Sequence, residues 1–346
     1  MREEEFKKRA KEIWGELKEA KKILVCLHRD PDGDTVGSAL ALARLLDEEG
    51  KKVGLICKDS VPGVLSFLPD YGRIERRNLK DVNLSDWDTV VTIDCASWEQ
   101  VTGGAEWMPK IGDVRVVNID HHLTNPGFGS VVLVEEASSV SEILFHLMKE
   151  WKKKVTGDLA NWILVGLVTD TGGFHFASTS ARVLKMAADL VDRGADLDGI
   201  MFKIYRSNSL SKIRFWGRVL GKAEVDEEGR FVFAKVRFSE IADLCQNCLV
   251  PDIKKGVAGL FLQNIEGTEF GVLVTETSPG VVVGEVRSRA GFDVARVAVA
   301  LGGGGHRFAA GFTRKSVADF DQECKKIFEV CRKVAKEEYE ESKTAV

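Results

Sequence analysis

The stretch VRVVNIDHH, residues 114–122, reads as a buried strand that ends on a carboxylate and two imidazoles. Its apolar residues run without alternation, the pattern of a parallel strand covered on both faces. Similar runs occur earlier in the chain: KILVCLH at 22–28, KVGLICKD at 52–59 and DTVVTID at 88–94. Between the first two lies GSALALARLLDEEG, 37–50, with Leu40, Ala43 and Leu46 at helical spacing and Gly50 at its end. This alternation predicts a doubly wound α/β domain.

Beyond Ser130 the pattern turns helical. Residues 139–154, 158–170 and 179–194 carry helical periodicity, and 198–221 reads as a further helical stretch across a domain boundary. From Lys222 the signal is mixed. A hairpin with its turn at Glu228–Gly229 is predicted over 223–238. Strands are predicted at 257–263, 269–277 and 280–289, a short helix at 293–301, and an amphipathic helix at 317–341. The expected division is 1–195, a helical linker 196–220, and a smaller mixed α/β domain 221–346.

Bulk properties narrow the function. The 346 residues suffice for two domains, and a formal net charge of −4 provides no overall field for long duplex nucleic acid. The charged N-terminus lacks the apolar stretch of a signal peptide, and no apolar run approaches membrane-spanning length. Seven scattered cysteines favour a reducing cytoplasm over a disulfide framework. Cys245 and Cys248 form a lone pair with no further ligands at zinc spacing, and they read as ordinary thiols.

Acidic patches fall where apolar segments run out: His28, Asp30, Asp32 and Asp34 in HRDPDGD; Asp94; Asp120-His121-His122; and Asp170 in GLVTDTGGF. In a parallel sheet, ligands gather at the carboxyl ends of the strands. Any one patch alone is an ordinary turn or helix cap. Together they crowd carboxylates that need neutralising, and divalent metal is the natural neutraliser. Asp with His suits Mn²⁺, with Mg²⁺ or Fe²⁺ as alternatives. Five or six ligands exceed the needs of one catalytic Zn²⁺ and suit a two-metal phosphoesterase. In GGGGH, Gly302–Gly305 and His306, consecutive glycines present backbone N–H groups to an anion. No Lys-Ser/Thr follows to make a P-loop.

These motifs, HRDPDGDTVGSA, TIDCA, NIDHH and GLVTDTGGF, resemble those of the DHH phosphoesterases. EVRSRAGFDVARVAVALGGGGHRFAAGF, 285–312, resembles the DHH-associated domain. The resemblance is nearest to the nanoRNase/pAp phosphatases and the stand-alone linear dinucleotide phosphodiesterases. It implies that His28 and Asp32 hold one metal and that Asp34, His121 and Asp170 hold the other, with Asp94 bridging. His122 would sit just outside the metal shell, touching the scissile phosphate or orienting the cluster, and Asp120 would bond the histidine pair. Arg287, Ser288, Gly303, Gly304, Gly305 and His306 would grip the substrate, with the active site in the cleft between domains. Asp30 has no counterpart in the motif. Thr35 stands where the family usually has a small residue such as Ala, an exchange expected to leave the chemistry unaffected. The implied substrates are pApA, pGpG, slightly longer RNA and pAp; the resemblance leaves a homodimer open. The alternatives are a RecJ-like exonuclease, a family II inorganic pyrophosphatase and a non-catalytic nucleotide-binding regulator. The first needs extra nucleic-acid-binding mass, and the second lacks the glycine-histidine motif. The third does not require an intact ligand set.

Overall fold

The computed structural model describes residues 3–104, 114–244, 264–289, 291–305 and 307–344. The chain forms two units, Met1–Ser207 and Asn208–Val346.

The first unit opens with helix α1 (Glu3–Glu19), whose Ala10, Ile13 and Leu17 are buried. There follow β1 (Lys22–Leu27), α2 (Gly33–Glu48), β2 (Lys52–Cys57), β3 (Ile74–Arg76), β4 (Thr89–Ile93), α3 (Trp98–Thr102), β5 (Arg115–Asp120) and β6 (Val131–Val134). Helices α4 (Val140–Glu150), α5 (Asp158–Asp170), α6 (Ala181–Asp192) and α7 (Leu197–Met201) complete it. The sheet order is β3-β2-β1-β4-β5-β6, and every pair is parallel. The order reverses between β1 and β4, the switch point where open α/β sheets bind ligands. Leu27 pairs with Ile93, and Ile93 with Ile119. The next residues, His28, Asp94 and Asp120, therefore emerge side by side. The short strands β3 and β6 carry too few residues to announce themselves in the sequence.

Helix α2 is buried nearly all round, from Gly33 to Leu46, as is α5 from Leu159 to Val168. Such helices are interior ones. Their close approach depends on glycine. A Cβ on Gly37 would collide with the Trp162 carbonyl, and one on Gly166 with Ser141 Oγ and Asp34 Oδ1.

Residues 198–221 are not one helix. A π-helical turn, Phe202–Arg206, follows α7, and α8 (Leu210–Leu220) starts afresh with Ser209 accepting from Lys212 N. Ser207, Asn208 and Ser209 favour local backbone bonds over helix continuation. The second unit continues with β7 (Glu224–Asp226), β8 (Phe231–Val236), α9 (Phe238–Leu244), β9 (Phe270–Ser278), β10 (Val281–Ser288), α10 (Val294–Ala300), β11 (Gly304–Gly305), β12 (Ala309–Arg314) and α11 (Phe320–Thr344). Its mixed sheet has the order β11-β12-β10-β9-β8-β7, with β8–β9 the parallel pair. The predicted hairpin is β7–β8. One face packs Val282, Val286 and Phe312 on α10 and α11; the other packs Val232, Ala234 and Leu273 on α8. The strand predicted at 257–263, Cys245, Cys248 and His306 lie outside the described residues.

Candidate metal centre

The loop after β1 turns through Asp30 in the left-handed region and enters α2 at Asp32. Asp32 Oδ1 caps the helix, accepting from Asp34 N at 3.0 Å and Thr35 N at 3.1 Å. Asp34, in the first turn, is fully buried. Its Oδ2 accepts from Val140 N at 2.6 Å and its Oδ1 from Ser141 N at 2.9 Å. These amides open α4, whose positive end favours a carboxylate. Burial, reinforced by the charge of Asp94, still pushes Asp34 up to about 6.

Asp94 leaves β4 with φ of 59°, a left-handed conformation that aspartate tolerates better than most residues. It is 3% exposed, and its Oδ1 has no hydrogen-bond partner among the described residues. A buried, orphaned carboxylate oxygen is costly unless a cation meets it. Asp170 is the last residue of α5, where the negative end of the helix disfavours its charge. Burial, then Asp34 and Asp32, raise it well above the usual carboxylate range.

Both candidate histidine ligands have one nitrogen committed. His28 Nδ1 lies 2.6 Å from the Arg29 carbonyl, and His121 Nδ1 lies 3.2 Å from the Ala137 carbonyl. A carbonyl can only accept, so Nδ1 carries a proton, and it is Nε2 of the neutral ring that presents a lone pair, the usual arrangement of a ligating imidazole. His28 Nε2 stands 3.4 Å from Asp94 Oδ2. His121 Nε2 stands 3.4 Å from Asp94 Oδ1 and 3.5 Å from Asp170 Oδ2. Donors bound ~2.0–2.2 Å from one ion stand roughly 3–3.5 Å apart. Burial opposes charge on both rings, but Asp94 outweighs it, pushing His28 up to about 9 and His121 well above its ordinary value. Burial likewise opposes charge on Asp94, and the two imidazoles hold it well below the usual range. The whole cluster draws positive charge toward Asp94.

Among the described residues, ligand atoms within 4.8 Å of one another form three sets: His28, Asp32 and Asp94; Asp34, His121 and Asp170; and Asp94, His121 and His122. The first two are the groupings the resemblance implied. Asp94 belongs to the first set and, at 3.4 Å from His121, joins it to the second. In the third, His122 Nδ1 already lies 2.5 Å from Asp120 Oδ1. Asp120 Oδ1 also accepts from His121 N and His122 N, while Asn125 Nδ2 holds Oδ2 at 2.7 Å. Asp120 therefore orients the histidine pair. Asn125, in LTNPG, went unnoticed in the sequence, since nothing in a turn motif marks the bond it makes. Thr35, expected to be inconsequential, places Oγ1 2.6 Å from Asp94 Oδ2 and 3.1 Å from Asp32 Oδ1.

In the second unit, Arg287 pairs with Ala309 across β10–β12, while Gly304 and Gly305 pair with Gly311 and Ala310. Arg287, Ser288 and the glycine run thus share one end of the sheet. The last two residues of the run form the edge strand β11. A Cβ on Gly303 would strike the Gly311 carbonyl, and Gly305 has φ of 143°. Ser288 Oγ is buried and has no hydrogen-bond partner among the described residues.

A doubly wound sheet with this donor set at its switch point defines a phosphoesterase, a hydrolase of phosphoric esters. The chain belongs to the DHH family. The N-terminal domain profile of that family matches residues 22–167, and the DHHA1 domain profile matches 246–333. A bifunctional oligoribonuclease and PAP phosphatase, NrnA of Thermus thermophilus, is 33% identical over 90% of this chain and 89% of its own length. A probable manganese-dependent inorganic pyrophosphatase of Exiguobacterium is 26% identical, over 49% of this chain and 54% of its own. The crystal structure of an exopolyphosphatase-related protein from Bacteroides fragilis superposes with a TM-score of 0.85 at 25% identity, covering 94% of this chain and 96% of that one.

Proposed function

We propose that the chain hydrolyses short ribonucleotides, linear dinucleotides and nanoRNA, together with pAp, to mononucleotides, using two divalent cations with Mn²⁺ preferred. The observation that carries this reading is the pair of donor sets linked by Asp94. The substrate class rests on similarity to the oligoribonuclease and PAP phosphatase of Thermus thermophilus across nearly the whole of both chains. Likeness to the manganese-dependent pyrophosphatase spans only about half of each chain. That favours the nuclease reading over the pyrophosphatase.

His28, Asp32 and Asp94 would hold one cation, and Asp34, His121, Asp170 and Asp94 the other. When bound, these cations would supply Lewis acidity at the phosphoryl oxygens and lower the pKa of an attacking water. The chain's own work is placement. The Arg29 and Ala137 carbonyls fix the Nδ1 protons of His28 and His121, so that Nε2 faces Asp94. Asp120 engages His122 Nδ1, leaving Nε2 as the nitrogen that would meet the scissile phosphate. The amides of Val140 and Ser141 hold Asp34 against rotation. Arg287, Ser288, Gly303, Gly304, Gly305 and His306 would bind the nucleotide away from the scissile bond. Arginine offers paired donors to phosphate, and among the described residues the buried Ser288 hydroxyl lacks a partner, which a ligand oxygen would provide.

The test is product analysis on 5′-phosphorylated di- to pentaribonucleotides, a 24-mer RNA and pAp, each with Mn²⁺. Faster turnover of the short substrates, ending in mononucleotides, is expected. Processive shortening of the 24-mer at a comparable rate would favour a RecJ-like exonuclease. Binding without turnover would favour a regulator. Among the described residues no helix is long and apolar enough to cross a membrane. A cytoplasmic setting agrees with the cysteines, of which the five described are free and buried.

A further inference from the structure

We propose that Thr35 is a positioning residue of the metal centre, whose hydroxyl sets the rotation of the Asp94 carboxylate. This inference rests on the reading that Asp94 is shared between two cations.

Thr35 is completely buried in the first turn of α2, one residue after Asp34. Its backbone N–H donates to the capping Asp32 Oδ1, which places the side chain over the cluster. Oγ1 then lies 2.6 Å from Asp94 Oδ2 and 3.1 Å from Asp32 Oδ1. A hydroxyl has one proton to donate, and the shorter contact identifies Asp94 as its acceptor. A bond to a carboxylate at this length is charge-assisted and stronger than a neutral one. Serine would have all three χ1 wells open, whereas the β-branched threonine restricts them and holds the hydroxyl in place.

The consequence falls on how Asp94 divides its two oxygens. Oδ2, held by Thr35, faces His28 Nε2 at 3.4 Å; Oδ1, with no hydrogen-bond partner among the described residues, faces His121 Nε2 at the same distance. A turn of the carboxylate about Cβ–Cγ would remove one oxygen from each half. The Asp94 backbone fixes only its Cα, through its N–H to the Ile119 carbonyl at 3.0 Å. Thr35 also contacts Asp32, which belongs to the His28 set. The half of the centre built from His28 and Asp32 therefore depends on this hydroxyl more than the half built from Asp34, His121 and Asp170.

The test is Mn²⁺ titration of the full chain by calorimetry, with free Mn²⁺ followed by electron paramagnetic resonance. It compares wild type with Thr35→Ser, Thr35→Ala and Thr35→Val. Melting of the metal-free proteins serves as the structural control. Outer partners of metal ligands typically contribute ~10–100-fold to affinity. Thr35→Ala and Thr35→Val should each weaken one of the two binding steps about 10-fold or more and the other step less. Thr35→Ser should stay within about 3-fold of wild type. Should Thr35→Ala fold poorly, the valine and serine variants carry the comparison. Wild-type affinities at both steps in the hydroxyl-free variants would overturn the proposal, as would equal weakening in Thr35→Ser. A wild type that binds fewer than two ions would instead remove the two-cation reading, and this inference with it.

Discussion

In the proposed mechanism Asp94 concentrates the chemistry of this protein in one side chain. It is buried, stands in a left-handed backbone conformation, and faces His28 with Oδ2 and both His121 and His122 with Oδ1. Exchanging one oxygen for an amide removes a donor to one half and points N–H groups at a ligand lone pair. Asp94→Asn should therefore lower Mn²⁺ affinity by at least ~100-fold at one step and abolish phosphodiester hydrolysis. Circular dichroism should show the fold retained. Full activity in Asp94→Asn would contradict the assignment. At this scale the sequence was informative wherever a residue's chemistry announces itself. His28, Asp32, Asp34, Asp94, His121 and Asp170 stand out as a cluster of ligand types, and the structure brings them together. Thr35 and Asn125 were illegible because hydroxyls and amides in turns usually bond the nearby backbone. Only the fold reveals that these two reach carboxylates.

Secondary elements carry these side chains through close helix packing. Helix α5 touches the site through Gly166, where a methyl group would overlap Ser141 Oγ and Asp34 Oδ1. Gly166→Ala should destabilise the protein by about 1–3 kcal/mol through overpacking, and by displacing Asp34 it should also weaken Mn²⁺ binding. Gly15, exposed in α1 with open space around it, is the opposite case. Gly15→Ala should stabilise the chain by about 0.5–1 kcal/mol and leave Mn²⁺ affinity unchanged. Urea unfolding of both variants checks the signs, and a destabilised Gly15→Ala or a wild-type-like Gly166→Ala would contradict this packing. The long buried strands β1, β4 and β5 were legible because an unbroken apolar run of that length has few other uses. The glycine run was read as backbone N–H groups exposed to an anion, with no strand expected there. Its pairing with β12 is a tertiary contact that local composition does not encode.

On the scale of the whole molecule, the proposed function puts chemistry in one unit and grip in the other. If the second unit reads the nucleotide, Arg287→Ala and Ser288→Ala should leave Mn²⁺ content intact and lower kcat/KM on pApA. Both kcat and KM can change, because remote binding energy also positions the reacting end. A simple aryl phosphodiester lacks the remote groups and should be much less affected. A ratio of losses near one for both variants would contradict the division of labour. The two-domain organisation was legible in the change from alternating strands and helices to mixed β signals. The break within 198–221 was not, because its helical periodicity continues across Ser207–Ser209.

The central claim, a two-cation centre joined by Asp94, is tested most directly by counting ions. Metal-free protein would be titrated with Mn²⁺ and examined by electron paramagnetic resonance at saturation. The account predicts two ions per chain with the spectrum of a spin-coupled pair. A single ion per chain, or two that remain magnetically independent, would contradict it.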